Sequence, residues 1–217
     1  VRRWNEWLIV WGYDINQPAP EVDTAFATKV VRDLVGEPDL PVEIQSVSTW
    51  TVNNMYATTM QSGRVFCMGD ATHRHPPSNG LGSNTSIQDA FNLAWKLSLV
   101  LKGKAGPRLL DSYQQERAPV AKQIVTRANK SIEEFGPIFK ALGLLDSIDP
   151  VKMQQNMDAR CDDTPAAEEQ RAAIRKAIAA KVYEFDAHGV EMNQRYVSDA
   201  VVTGGHPAPA FEKDAEL

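Results

Sequence analysis

An α/β fold, with extended segments leading and helices following, is predicted by three observations. The first sixty residues carry two segments rich in aromatic and β-branched side chains. A short apolar run then empties into a loop of glycine, proline and histidine. Beyond that loop, apolar residues recur at helical spacing along most of the chain.

Taken in order, Trp4 to Tyr13 (WNEWLIVWGY) reads as a strand because its residues suit a pleated, half-buried surface. Val22, Phe26, Val30 and Leu34 recur every fourth position, and Gly36 stands where a helix would stop. The two prolines of Glu37 to Pro41 force a turn. Alternation from Val42 to Met60 predicts an extended strand, with Ile44, Val47 and Trp50 as candidate core. Ser62-Gly63 turns the chain into Arg64 to Met68 (RVFCM), apolar after its first residue, which suits the middle of a covered sheet. Residues 69 to 83 are a loop. Thr85 with Gln88 has the capping-box pattern and predicts a helix to about Lys102. Ile87, Ala90, Phe91, Ala94, Leu97 and Leu101 would line one face, with Trp95, Leu99 and Val100 making most of the rest apolar, so burial nearly all round is expected.

Leu110, Tyr113, Arg117, Val120 and Ile124 mark a second helix that Pro119 is expected to kink or restart. Pro150 to Thr164 is polar and irregular, a candidate crossover. Thr164-Pro165 supplies an N-cap and first-turn proline for a third long helix striped by Ile174, Ile178, Val182 and Phe185. The tail from Gly204 reads as a linker.

Bulk properties narrow the function classes. The chain has 217 residues, 43% of them hydrophobic and 24% charged, which is enough for a substantial core. A net charge of −5 argues against a nucleic-acid partner. No apolar run is long enough for a membrane span, and the N-terminus lacks the pattern of a signal peptide. Two cysteines, Cys67 and Cys161, do not make a disulfide framework, so a reducing cytoplasm is expected. The start at Val1, inside an apolar stretch, leads us to expect a fragment.

The chemistry is concentrated in Arg64 to Lys102: a buried strand, Gly-Asp, a proline-glycine loop, then a helix N-terminus. A carboxylate at the end of a strand, here Asp70, can accept hydrogen bonds from ribose hydroxyls. Gly69 removes a side chain that would block close approach. The loop Pro76-Pro77-Ser78-Asn79-Gly80-Leu81-Gly82 can lay peptide planes against a flat heteroaromatic ring. The amides of Gly82, Ser83 and Asn84 point from the helix N-terminus, where the dipole favours negative charge.

These residues carry a resemblance. The stretch resembles the second FAD-binding motif of the flavin monooxygenases that include para-hydroxybenzoate hydroxylase. The run GDATHRHPPSNGLGSNTSIQDAFNLAWKL is most similar to the phenol and 2,4-dichlorophenol hydroxylase branch. LLDSYQQERAPVA (Leu109 to Ala121) and EFDAHGVEMNQRY (Glu184 to Tyr196) resemble further segments of that branch. The resemblance implies part of a para-hydroxybenzoate hydroxylase-like α/β fold, divided as the end of the substrate-binding sheet (1–62), the C-terminal part of the FAD domain (63–135), a helical extension (136–203) and a linker towards a further domain (204–217). It implies FAD as cofactor and NADPH as co-substrate, with O2 hydroxylating a phenol or chlorophenol ring. Asp70 would bind the FAD ribose and Pro76 would sit beside the flavin ring. Gly82, Ser83 and Asn84 would face its pyrimidine carbonyls, with Gly69, Gly80 and Leu81 in support. A homo-oligomer of the full-length enzyme is also implied.

Other family features are missing from these residues. The GxGxxG pyrophosphate unit, the middle Asp-Gly motif and the thioredoxin-like domain of phenol hydroxylases are not found, and Thr85 stands where a third glycine would follow Gly80 and Gly82. No catalytic acid or base is assigned; in the family pattern it lies upstream of Val1. The chain alone is therefore not expected to bind FAD tightly or turn over.

Plainer readings stand beside these. Asp70 could cap the next element. His73 and His75 form an HxH pair, but a metal needs three or four ligands, so no metal is expected and a structural or wall role for His75 is preferred. Arg74 and Arg64 are either phosphate contacts or solvated. Arg117 is expected to ion-pair and tie its helix to the sheet. Trp4, Trp7, Trp11 and Trp50 are core or a substrate wall, with core preferred, and Cys67 is expected to be buried and inert. Rival functions are hydroxylation of a polyketide or other large aromatic, and a non-catalytic fragment with an empty flavin site.

Overall fold

The computed structural model describes residues 4–186, 188–192 and 194–206. The chain forms two compact units, residues 1–51 and 52–217.

In the first unit the helix α1 (Thr24–Val35) starts where Asp23 accepts a hydrogen bond from the Phe26 amide and ends at Gly36 in the left-handed region. Arg32 donates to the Leu40 carbonyl at 3.0 Å, closing the turn after the helix. Leu40, Val42 and Ile44 alternate half-buried with exposed neighbours, as a strand face would. The expected strand at 4–13 does not form, and of the extended strand expected from Val42 to Met60 only Met55–Tyr56 is paired: a strand needs a hydrogen-bonded neighbour, and the described residues supply none elsewhere in these stretches. The tryptophans are accordingly surface residues rather than core, with Trp4 93% and Trp7 73% exposed. Trp11 packs edge-on against Phe26 at 5.3 Å.

Among its described residues the second unit holds two small antiparallel pairings. Strand β1 (Met55–Tyr56) pairs with β4 (His73–Arg74), and β2 (Gln61–Ser62) pairs with β3 (Val65–Phe66) in a hairpin. The RVFCM run is thus a two-residue strand with Val65 exposed, not the middle of a covered sheet. Cys67 is exposed rather than buried.

Helices dominate the rest. α2 (Leu81–Leu101) and α3 (Asp111–Glu133) pack together, with α4 (Phe135–Ala141), α5 (Pro150–Asp158), α6 (Pro165–Ala180), α7 (Val182–Phe185) and α8 (His188–Met192) following. α3 runs through Pro119 without a break. α6 has the expected Thr164 cap, which accepts from the Ala167 amide. The segment read as irregular contains α5, capped by Asp149 with Pro150 in its first turn. Of the tail from Gly204, residues 207–217 lie outside the described residues.

Among the described residues the interior has two apolar clusters. Leu81, Val120, Ile124 and Val190, with Tyr196, form one; Met60, Leu93 and Tyr113, with Phe66, Leu97 and Ala118, form the other. Helices α2 and α3 also bury charged residues against each other. Asp89 and Arg117 are ion-paired at 2.7 Å and Lys96 and Glu116 at 2.6 Å, all buried. Arg117 therefore ties α3 to α2 and not to a sheet. Much of the α2 face expected to be core is outside: Ile87, Phe91 and Leu101 are 66%, 74% and 82% exposed, while Leu97 packs against the second cluster. The neighbour that α2 meets, α3, offers charged partners, and those select the polar face.

Candidate functional site: two turns leading into α2

The site is built on the chain between β3 and α2. Met68 is extended, and a 3-10 turn, Gly69–Ala71, follows it. Gly69 has φ of 59°, and a Cβ there would stand 3.0 Å from the Ser86 hydroxyl oxygen, so both conformation and space call for glycine. The turn is closed by the Thr72 amide and hydroxyl, which both donate to the Gly69 carbonyl, at 2.7 and 2.9 Å. The Gly69 amide donates to Asp89 at 3.1 Å. Asp70, next in line, is left exposed at the end of the turn, with its backbone carbonyl accepting from Arg74 at 3.0 Å.

His73 is fully buried and donates from Nε2 to the same Asp89 oxygen at 2.9 Å, while its Nδ1 has no partner. His75 lies parallel to it at 6.3 Å, and its ring bonds the Pro76 carbonyl at 2.7 Å. The pair is therefore a stacked structural element: one ring holds a carboxylate, the other a backbone carbonyl. Among the described residues no His, Cys, Asp and Glu cluster suits a metal ion.

Pro76 is buried, and a second 3-10 turn, Ser78–Gly80, brings the chain to α2. Asn79 and Gly80 are both left-handed, at φ 63° and 62°. The helix begins at Leu81, four residues before the capping box read from Thr85 and Gln88; Thr85 is instead buried within the helix. That shift puts Gly82, Ser83 and Asn84 inside the first turn, where amides have no partner within the helix. No side chain caps them, since Asn84 donates to the Gly80 carbonyl and Ser86 to the Gly82 carbonyl. Gly80 and Gly82 leave open backbone: an added Cβ meets nothing within 4 Å at Gly80 and only the His75 ring, at 3.7 Å, at Gly82.

The two turns and the helix start thus collect Gly69, Asp70, Pro76, Gly80, Leu81, Gly82, Ser83 and Asn84 along one continuous stretch. An exposed carboxylate, a buried proline and a row of amides at a positive helix end fit an anionic, hydroxyl-bearing heteroaromatic ligand.

Asp89 is the residue that reading the sequence missed. Burial alone would raise its pKa, but the bonds from His73, Arg117 and Gly69 and the Arg117 charge hold it below the ordinary carboxylate value. Glu116 behaves likewise: burial opposes, and donation by Asn92, Lys96 and Ser198 prevails. Tyr113, whose hydroxyl donates to the Cys67 carbonyl at 2.7 Å, is pushed well above its ordinary pKa by burial and by the Asp89 charge. The available signal was a polar stripe, Thr85, Asp89, Asn92 and Lys96, spaced by four, three and four on an apolar helix.

These features define an FAD-binding domain of the flavin monooxygenase fold, and the chain belongs to the FAD-binding domain family, whose pattern matches residues 1–128. It is 60% identical over all 217 residues to 2,4-dichlorophenol 6-monooxygenase of Delftia acidovorans and 54% identical to phenol 2-monooxygenase of Pseudomonas sp. (strain EST1001). It spans 37% and 36% of the length of those relatives. The crystal structure of the flavin-dependent monooxygenase PieE, in complex with FAD and substrate, superposes with a TM-score of 0.83 at 44% identity, over 93% of this chain and 35% of that one.

Proposed function

We propose that this chain supplies the flavin-facing part of an FAD-dependent monooxygenase that hydroxylates a phenol or chlorophenol with NADPH and O2. The observation that carries the reading is the exposed Asp70 carboxylate on the Gly69 turn, followed by buried Pro76 and the uncapped first turn of α2. Asp70 accepts a ribose hydroxyl, Pro76 lies against the ring system, and the amides of Gly82, Ser83 and Asn84 face the pyrimidine carbonyls. Gly69, Gly80 and Leu81 hold the backbone that presents them.

FAD, when bound, supplies the electron transfer from NADPH and the activation of O2. The overall balance is one NADPH, one proton and one O2 consumed with the phenol, giving NADP+, water and the hydroxylated ring. The chain's own residues bind and orient, and the α2 dipole stabilises negative charge at the pyrimidine end. Identity to phenol-type monooxygenases over the whole chain favours a small phenol over a large polycyclic aromatic. No described helix is long and apolar enough to cross a membrane, and the free, exposed Cys67 and Cys161 suit the reducing cytoplasm we assign to a homo-oligomeric natural polypeptide.

Asp70→Ala in that natural polypeptide tests the reading. We expect FAD affinity to fall at least about tenfold, the loss of a charge-assisted hydrogen bond. Unchanged affinity would remove Asp70 from the site, and a screen of phenols against polycyclic substrates fixes the substrate class.

A further inference from the structure

The helical extension beyond α6 has no part in the site just described, yet its backbone and side chains reach both site turns. We propose that Glu184, Gln194 and Tyr196 form a positioning element for the flavin loop, acting through two separate hydrogen-bond arms. This inference rests on the FAD reading above.

The first arm ends on Asn79. It is the one described non-glycine residue with a positive φ, 63°, a conformation that needs outside support. That support comes from the Glu184 carbonyl in α7, which accepts from the Asn79 side-chain amide at 3.0 Å. Its neighbour Ser78 donates to the Ala128 carbonyl of α3 at 2.8 Å. α7 is fastened to α3 in turn: the Tyr183 ring lies 4.0 Å from the Arg127 guanidinium and 3.7 Å from the Lys130 ammonium.

The second arm ends on Gly69. Tyr196 and Gln194 accept from one Arg117 nitrogen at 2.8 and 3.1 Å. Arg117 Nε donates to Asp89 at 2.7 Å, and the other Asp89 oxygen accepts the Gly69 amide at 3.1 Å. Arg117 and Asp89 are fully buried, so the central Arg117–Asp89 link is short and desolvated, while Gln194 and Tyr196 at its outer end are half-buried. Asn79, Asp89, Arg117 and Tyr196 are therefore positioning residues. The extension fixes the Gly69 and Asn79 turns before cofactor arrives, and preorganisation of that kind appears in affinity.

The experiment is an FAD titration of the apoprotein of the natural polypeptide, followed by flavin fluorescence, with thermal unfolding of each apoprotein alongside. Asn79→Gly keeps the left-handed backbone and removes the bond to Glu184; we expect FAD binding weaker by about five- to tenfold. Should that variant not fold, Asn79→Asp serves, because a carboxylate cannot donate to the Glu184 carbonyl. Tyr196→Phe is expected to weaken binding by about three- to fivefold, and the double variant by the product, since the arms reach different turns. Arg171→Ala is the control: it removes bonds to Glu168 and to the Arg160 and Asp162 carbonyls, in and just before α6 and on neither arm. It is expected to leave FAD affinity unchanged while lowering the apoprotein midpoint at least as much as the arm variants do. Arm variants that bind FAD like the parent, or an Arg171→Ala loss of equal size, overturn the positioning role and leave the FAD reading intact. A parent that does not bind FAD overturns the FAD reading and this inference with it.

Discussion

The two faces of α2 invert the usual pattern. One face, Thr85, Asp89, Asn92, Leu93 and Lys96, is buried and mostly charged or polar; the other, Ile87, Phe91 and Trp95, is apolar and exposed. The polar face is inside because every charged group on it is paired: Arg117, His73 and the Gly69 amide on Asp89, and Glu116 on Lys96, with the Asn92 amide also donating to Glu116. Burial of charge is tolerated when pairing is complete, whereas burial of an apolar stripe requires only a neighbour. Side-chain hydrophobicity therefore ranks the faces of a helix only after its neighbours are known.

The sharpest way to break this comparison is to remove Asp89. Asp89→Ala leaves Arg117, the Gly69 amide and His73 without their shared acceptor in a closed interior. We expect a loss of about 3–5 kcal/mol in urea unfolding. A loss below about 1 kcal/mol, typical of an exposed pair, would mean that the network contributes no more than a surface contact.

Acid should act through the same groups. Asp89 and Glu116 both titrate below their ordinary values in the folded chain. The unfolded state therefore takes up protons first, so their contribution is complete above about pH 4 and is lost as the pH falls through the lowered values. A series of urea midpoints from pH 6 down to pH 2 should slope steeply at its acid end, and Asp89→Asn should flatten that slope. A slope equal to the parent's would assign acid sensitivity to other carboxylates.

How much of this was legible depends on how far each signal reaches along the chain. Gly36 ends α1 and Thr164-Pro165 opens α6 because caps act within one turn of their helix. Asp149-Pro150 carries the same signal for α5, and went unread because the polar stretch around it looks like loop. The stretch proposed to bind the flavin, Gly69 to Asn84, was readable as a run of residue types. The true start of α2 was hidden by Thr85 and Gln88, which mimic a cap from inside the helix: the Thr85 carbonyl and Gln88 side chain instead lie 3.4 Å from Arg117. Strands at 4–13 and 42–60 could not be settled locally, since pairing is a property of two segments. The Asn79–Glu184 bond joins residues 105 positions apart, and no periodicity announces it.

A cap offers a smaller effect on a region outside the comparison. Thr164→Ala removes the side-chain acceptor for the Ala167 amide at the start of α6, and should cost about 1 kcal/mol in the same urea experiment. No change would mean that the α6 packing against α4, and not the cap, sets its stability.

The smallest expected effect is the one that sharpens the comparison most. Phe91 is 74% exposed, so Phe91→Ser in the 217-residue chain should alter stability by less than about 0.5 kcal/mol. Yet a row of Ile87, Phe91 and Trp95 beside the proposed cofactor-binding turns is a surface suited to being covered, and the chain spans only 37% of the length of its relative. The same substitution in the longer natural polypeptide should then cost about 3 kcal/mol or more, as truncating a buried aromatic does. Equal, small losses in both would make the stripe a true surface, and the polar face would be the sole packing face of α2. A large loss confined to the longer polypeptide would give α2 two buried faces, one held by charge pairing and one by apolar contact, with the flavin-site turns at its N-terminal end anchored from both sides.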